Sequence, residues 1–288
     1  MSWCEQNAIK DVCPASELHI AMYLTHVFET KRKRGPLSDA INAINWAHDL
    51  AGLSTPTKSH FVKKVLEGTK RLCNKVSNQK DPLEVEDILE LVTSSDLTQV
   101  GDLRFLLILT LAFAGLLRIS ELLALRVNDV VLFSDYAKFH IRKAKCDQLR
   151  DGEHVYIARS GLPSCPVALL EKYMAATTAC NRQDSFLIGR LLPTKGKCAF
   201  KISGQTPLSY TRCREIILEG LKPLMKKFPE KNFGTHSMRI GGTSAAAAGG
   251  ADKRILSKHG RWLSGKSRNR YIKDTVANRL SVTKCMQL

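Results

Sequence analysis

The chain has 288 residues, 44% of them hydrophobic, which is ordinary for a globular protein and long enough to favour two domains over one core. Its 44 Lys and Arg against 27 Asp and Glu leave +17, an excess that suits a polyanion because each neutralised phosphate releases counterions. Nine cysteines without a CxxC pair argue against a disulfide framework or structural zinc and suit a reducing compartment, and the most apolar run, Phe105 to Leu117, is too short to span a bilayer.

From Ala15 to Lys75 apolar residues such as Leu18, Ile20, Tyr23, Leu24 and Val27 recur at helical spacing, with Pro36 and Pro56 expected in the turns between helices. This predicts an all-helical N-terminal domain over residues 1–80. Its cationic residues Lys31, Arg32, Lys33, Arg34, Lys63, Lys64 and Arg71 either clamp a DNA duplex or are solvated helix faces. The 31–34 run also has the form of a nuclear import signal. Ser77 to Pro82 is the predicted linker, being polar and ending in proline.

The second domain, residues 81–288, opens with helical patterns over Leu83 to Leu91 and Asp102 to Ala114, the latter apolar enough to be buried all round. Gly115 ends that helix, and Arg118 to Leu125 forms another. Val130 to Phe133, Lys138 to Arg142 and His154 to Ala158 alternate as three short strands, and Asp151-Gly152 marks a hairpin. Beyond Pro166 only helices are expected, including Leu208 to Phe228 and His236 to Ala248. The predicted fold class is mostly α with a small antiparallel sheet (α+β).

Residues 228–288 carry 12 basic and 3 acidic groups, more than half of the net excess. In this stretch His236 and Arg239 share a helix face, and Thr235 is placed to cap that helix so that its positive end, the imidazole and the guanidinium meet one anion. Trp262 and Tyr271 add an indole N–H and a phenol, so the set offers a phosphodiester both donors and a nucleophile. Arg118 follows an apolar helix and finds Glu121 at i+3, either as part of the same site or as a structural ion pair. His259 is expected on a helix surface. Lys253, Arg254, Lys258, Arg261, Lys266, Arg268 and Arg270 are expected along the DNA backbone.

The segments Gly115-Leu116-Leu117-Arg118-Ile119-Ser120-Glu121, His236-Ser237-Met238-Arg239, Gly260-Arg261-Trp262 and Arg270-Tyr271-Ile272 resemble, in order and spacing, the motifs of the tyrosine recombinases of the phage-integrase type. The likeness runs from about Trp3 to the C-terminus and is greatest to Cre-type and eukaryotic mobile-element (DIRS and Crypton-like) members. It implies a helical DNA-clamp domain ahead of a catalytic domain, with an N-terminal part missing before Trp3.

The resemblance also implies roles. Arg118 and Arg239 are the phosphate-clamping arginines, Glu121 supports the first of them, and His236 is the family's first histidine. Trp262 stands where many members have a second histidine, and Tyr271 is the nucleophile. The family's hairpin lysine matches Lys145, in Lys145-Cys146-Asp147-Gln148, with Lys143 as the rival. The implied activity is site-specific recombination or integration of double-stranded DNA through a 3′-phosphotyrosyl link, without metal or other cofactor. The implied acting form is a homo-tetramer on DNA, monomeric or dimeric when unbound, in the nucleus of a eukaryotic host and otherwise in the cytoplasm. Three alternatives stay open: a type IB topoisomerase-like relaxase, a retired recombinase domain that only binds DNA, and a generic RNA-binding protein.

Overall fold

The computed structural model describes residues 2–73, 79–143, 152–177, 184–193, 200–273, 280 and 283–286. The chain divides into two units, Met1–Asn78 and Gln79–Leu288. None of the described helices is long and apolar enough to cross a membrane.

The first unit is helical: α1 (Ser2–Gln6), α2 (Glu17–Lys31), α3 (Arg34–Leu50), a 3-10 turn (Pro56–Lys58) and α4 (His60–Leu72). Ser16 and Ser59 cap α2 and α4 by accepting from the N–H groups of His19 and Val62. The apolar stripes meet in a core of Ile20, Leu24, Val27, Phe28, Leu37, Val62 and Cys73. Pro36 does not separate helices as expected. It lies in the first turn of α3, where a missing N–H breaks no intrahelical bond; the break comes instead at Arg32, which is left-handed at φ 50°. His48 is buried and accepts from Ala15 N–H through Nε2 at 3.0 Å, so its Nδ1 donates to Ile44 O at 2.8 Å. That pair ties the segment before α2 onto α3.

The second unit begins at residues that were expected to be linker. Ser77 and Asn78 lie outside the described residues, but Asp81 N–H donates to Asn232 O, Asn232 N–H donates to the Asp81 carboxylate, and Leu83 N–H donates to Ser237 O. The stretch from Lys80 to Leu83 is therefore bonded into this unit. Helices α5 (Val85–Ser94), α6 (Val100–Ala114) and α7 (Ile119–Ala124) lead to the antiparallel sheet β1 (Val130–Leu132), β2 (Tyr136–Ile141) and β3 (Glu153–Ala158), ordered β1-β2-β3. Ala137 pairs with Ile157 and Phe139 with Val155, and all four side chains are buried, as the alternation predicts. Then follow α8 (Pro166–Ala176), the hairpin of β4 (Gly189–Pro193) and β5 (Phe200–Pro207), α9 (Tyr210–Gly220), α10 (Lys222–Lys227), α11 (Ser237–Ala248), α12 (Lys253–His259) and α13 (Gly265–Asn269).

Two expectations fail here. The β4–β5 pair occupies a region expected to be helical throughout, and Leu208 to Phe228 is two helices. The second begins at Lys222 with Pro223 in its first turn, because proline starts a helix readily but cannot continue one. The apolar α6 is the axis of the core as expected, with Phe105 to Ala112 buried without interruption. α11 packs against it through Gly241 and Gly242, where an added Cβ would collide with the carbonyl oxygens of Leu83 and Phe113 respectively. That close approach carries Arg239 to the end of α6.

Candidate active site

After α6 the chain reverses through Gly115 and Leu116, the latter left-handed at φ 46°, and Arg118 becomes the N-cap of α7. The Glu121 carboxylate accepts the Arg118 backbone N–H at 2.9 Å and its Nη1 at 2.6 Å. Glu121 is itself buried, and burial pushes its carboxyl up. Arg261, the Arg118 N–H, and the Arg118 and Arg239 charges outweigh that and hold it below the ordinary carboxylate range.

Arg239, on the first turn of α11, is 1% exposed. Its Nη1 donates to Leu116 O, its Nη2 donates to Gly260 O at 2.6 Å, and its Nε is buried without a partner among the described residues. Burial, then repulsion from Arg118 and Arg261, lowers its pKa to about 10. Three guanidinium groups thus surround one carboxylate. Desolvated charges need compensation, and an anion entering here supplies what the protein does not.

The helix α12 ends in a turn of the Schellman type. Trp262 N–H donates to Ser257 O at 2.9 Å and Arg261 N–H to Lys258 O at 3.1 Å. Trp262 packs on Leu256 and Leu116, and its Nε1 is buried without a partner among the described residues. Beyond α13, Tyr271 is held by its backbone: its N–H donates to Arg268 O, and the Ser244 hydroxyl of α11 donates to Tyr271 O at 3.2 Å. The Trp262 and Tyr271 rings are 5.3 Å apart. The Arg239 guanidinium carbon lies 4.6 Å from the first ring centre and 5.1 Å from the second. His236 is exposed at the N-cap of α11 and lines a pocket of about 100 Å³ with Arg118, Arg239, Tyr210 and Thr235.

The chain is 26% identical over 294 residues to the integrase/recombinase xerD homolog of Selenomonas ruminantium, covering 96% of this chain and 81% of that protein. Among solved structures it resembles XerH recombinase bound to palindromic difH, with TM-score 0.60 and 17% identity over 96% of this chain and 73% of that one. It also resembles the Tn1549 transposon integrase with circular-intermediate DNA, with TM-score 0.54 and 15% identity over 93% and 85%. This is the tyrosine-recombinase fold. No family model matches the chain.

Within the tyrosine-recombinase fold, Arg118, Glu121, His236, Arg239, Trp262 and Tyr271 come together. Lys145 lies outside the described residues, whereas Lys143 is exposed just beyond β2. Three local expectations are corrected. Thr235 does not cap α11; its hydroxyl meets the Tyr210 hydroxyl at 3.1 Å, which brings Tyr210 to the pocket. His259 is no surface histidine: its Nε2 donates to Ala114 O at 2.8 Å, and burial lowers its pKa. Arg261 is not the open, backbone-facing cation expected: its side chain is 2% exposed and bonded to Glu121, and unlike Arg239 it does not line the pocket.

Of the other cations expected on DNA, Arg268 is engaged with Lys253 O and the Ser257 hydroxyl, tying α13 to α12. Lys266 and Arg270 are exposed. In the first unit Lys31, Arg32, Lys33, Arg34, Lys63, Lys64 and Arg71 are all exposed, with Lys64 and Arg71 flanking Glu67 at 3.6 and 3.9 Å. Tyr210 was beyond sequence reasoning as a site residue, since nothing local marks it, and the sequence marks Arg261 only as a DNA-backbone cation, its partner Glu121 lying far off in the chain.

Proposed function

We propose that this chain is a site-specific DNA recombinase that cuts and rejoins duplex DNA through a 3′-phosphotyrosyl intermediate. The observation that carries this reading is the convergence of Trp262 and Tyr271 on the buried Arg239 guanidinium, beside the pocket that Arg118 and His236 also line.

A scissile phosphate between Arg118 and Arg239 meets two planar, permanently charged forks suited to its non-bridging oxygens. Trp262 Nε1, without a partner among the described residues, supplies a further donor. Such donors act most strongly as charge builds on those oxygens in the pentacoordinate transition state. Tyr271 Oη attacks the phosphorus, the bond to the 5′-oxygen breaks, and the leaving oxygen takes a proton from the hairpin lysine, Lys145 or Lys143. The phenolic proton goes to His236, or to solvent while His236 braces the clamp. Attack by a 5′-hydroxyl on the phosphotyrosyl bond restores the diester without ATP, because the ester is exchanged and not hydrolysed.

Duplex DNA as the partner is supported by the +17 charge and by the XerH and Tn1549 relatives, solved on DNA. The family resemblance supports a tetramer on two duplexes, and the 31–34 run supports a nuclear location in a eukaryotic host.

The test incubates the protein with nicked suicide duplexes taken from the flanks of its own gene and compares wild type with Tyr271→Phe on a denaturing gel. A covalent band is expected from wild type alone. A band that persists in the variant overturns Tyr271 as nucleophile. DNA binding without a band in wild type indicates a retired domain, and relaxation of supercoils without joining of separate sites indicates a relaxase.

A further inference from the structure

Arg261 occupies a backbone position that arginine ordinarily avoids. It is the left-handed residue of the turn that ends α12, at φ 57°, a place glycine usually takes because it has no Cβ. Its side chain is also buried, at 2% exposure, so the chain tolerates both a strained backbone and a desolvated cation here.

Two of the three guanidinium nitrogens are bonded, while Nε is buried without a partner among the described residues. Nη2 donates to Glu121 Oε2 and to Leu116 O, each at 2.8 Å, and Nη1 donates to His259 O at 2.7 Å. Leu116 is itself left-handed, and its carbonyl also accepts from Arg239. Glu121 uses its other oxygen, Oε1, to hold Arg118 Nη1 at 2.6 Å. One buried side chain therefore links the α6–α7 turn, the carboxylate behind Arg118 and the turn that presents Trp262.

Resting on the recombinase reading, we infer that Arg261 is a positioning residue: it makes no DNA contact, and it orients Glu121, and through Glu121 the Arg118 fork, toward the reacting phosphate. The charged groups facing Glu121 are Arg118 at the start of α7, Arg239 of α11 and Arg261. Glu153 of β3 acts on Arg261 and Tyr271 acts on Arg239, while both arginines act on His259 of α12. Burial pushes the Glu121 carboxyl up, and Arg261 is the strongest influence holding it down. Loss of Arg261 thus leaves Glu121 both less well aimed and easier to protonate.

The test uses the full chain with Arg261→Gly, which suits the left-handed backbone, and Arg261→Lys, which keeps the charge but not the fork. Single-turnover cleavage of the nicked suicide duplex is measured at saturating DNA. We expect Arg261→Gly to cleave at least about tenfold more slowly. Its acid limb should move up by about one pH unit, with unchanged duplex affinity and salt slope. Arg261→Lys should restore the acid limb while remaining slow, and it decides the matter if the glycine variant does not fold. A merely structural arginine would lower stability and leave the saturated rate and its pH profile alone, and that result overturns the inference. So does weaker binding with a salt slope reduced by about one, the mark of a lost phosphate contact. If wild type itself forms no adduct, the recombinase reading fails, and Arg261 is judged by thermal unfolding against pH. An acid transition shifted upward in the variants upholds its hold on Glu121, and coincident curves overturn it.

Discussion

The Arg239 guanidinium lies against the face of the Trp262 indole, its central carbon 4.6 Å from the ring centre. This contact joins the first turn of α11 to the turn after α12, and with Tyr271 5.1 Å away on another ring face it gathers cation, donor and phenol around one point. Cation–π attraction fixes the stack, and Trp262 Nε1, buried without a partner among the described residues, takes no part in it.

Trp262→Phe separates these two contributions. The ring contact with Arg239 and Tyr271 is retained while the N–H is lost, so DNA affinity and fold should change little. Losing one donor aimed at a developing oxyanion costs about 3–4 kcal/mol, or roughly 10²–10³ in rate. Single-turnover cleavage of the nicked duplex measures it, and an unchanged rate rules out the indole N–H as a phosphate donor.

Glu121→Gln leaves three guanidinium groups around a neutral amide. Removing one partner from a buried charge cluster typically destabilises by about 3–5 kcal/mol, so the melting temperature should drop, and added phosphate should recover part of the loss. The pH sign follows from the Glu121 carboxyl lying below its ordinary range. Its stabilising contribution is fully present above the ordinary carboxylate pKa and is lost as pH falls through the lower folded value. Melting curves of wild type and variant should therefore converge in acid.

His259 gives the same sign of dependence in a higher pH window. Burial first, and then Arg261 and Arg239, lower its pKa, against the raising effect of its bond to Ala114. The unfolded chain takes the proton first, so stability should fall as pH drops below about 6.5 toward the folded value. His259→Gln can keep a donor to Ala114 O without titrating. Calorimetry between pH 7.5 and 5.5 should show a smaller loss for the variant than for wild type.

Gly241→Ala tests the close packing that delivers Arg239. The new Cβ would meet Leu83 O and the Phe113 ring, and overpacking of this kind typically costs about 1–3 kcal/mol. Gly101→Ala in α6, where the added carbon meets nothing within 4 Å, should be neutral or slightly stabilising. Urea unfolding midpoints compare the two, and equal effects would remove the packing argument.

The linear chain alone determined the polyanionic preference, the burial of α6, the alternation that builds β2 and β3, and the order of the residues that resemble a recombinase site. These are readable because charge is additive and because periodicity is a local property of consecutive residues. Folding alone decided what each polar side chain faces. Arg261 has the same charge as its exposed neighbour Lys266, yet it is buried because its partner Glu121 stands 140 positions earlier in the chain. His259 is withdrawn from solvent by Ala114, 145 positions away, and Thr235 is drawn from its expected capping role to Tyr210. The β4–β5 hairpin escaped notice because its pairing, with a register shift at Gly189/Arg190, is a contact between segments. Whether a cation serves the solvent, a phosphate or a carboxylate is set by such distant partners, and no window of neighbouring residues contains them.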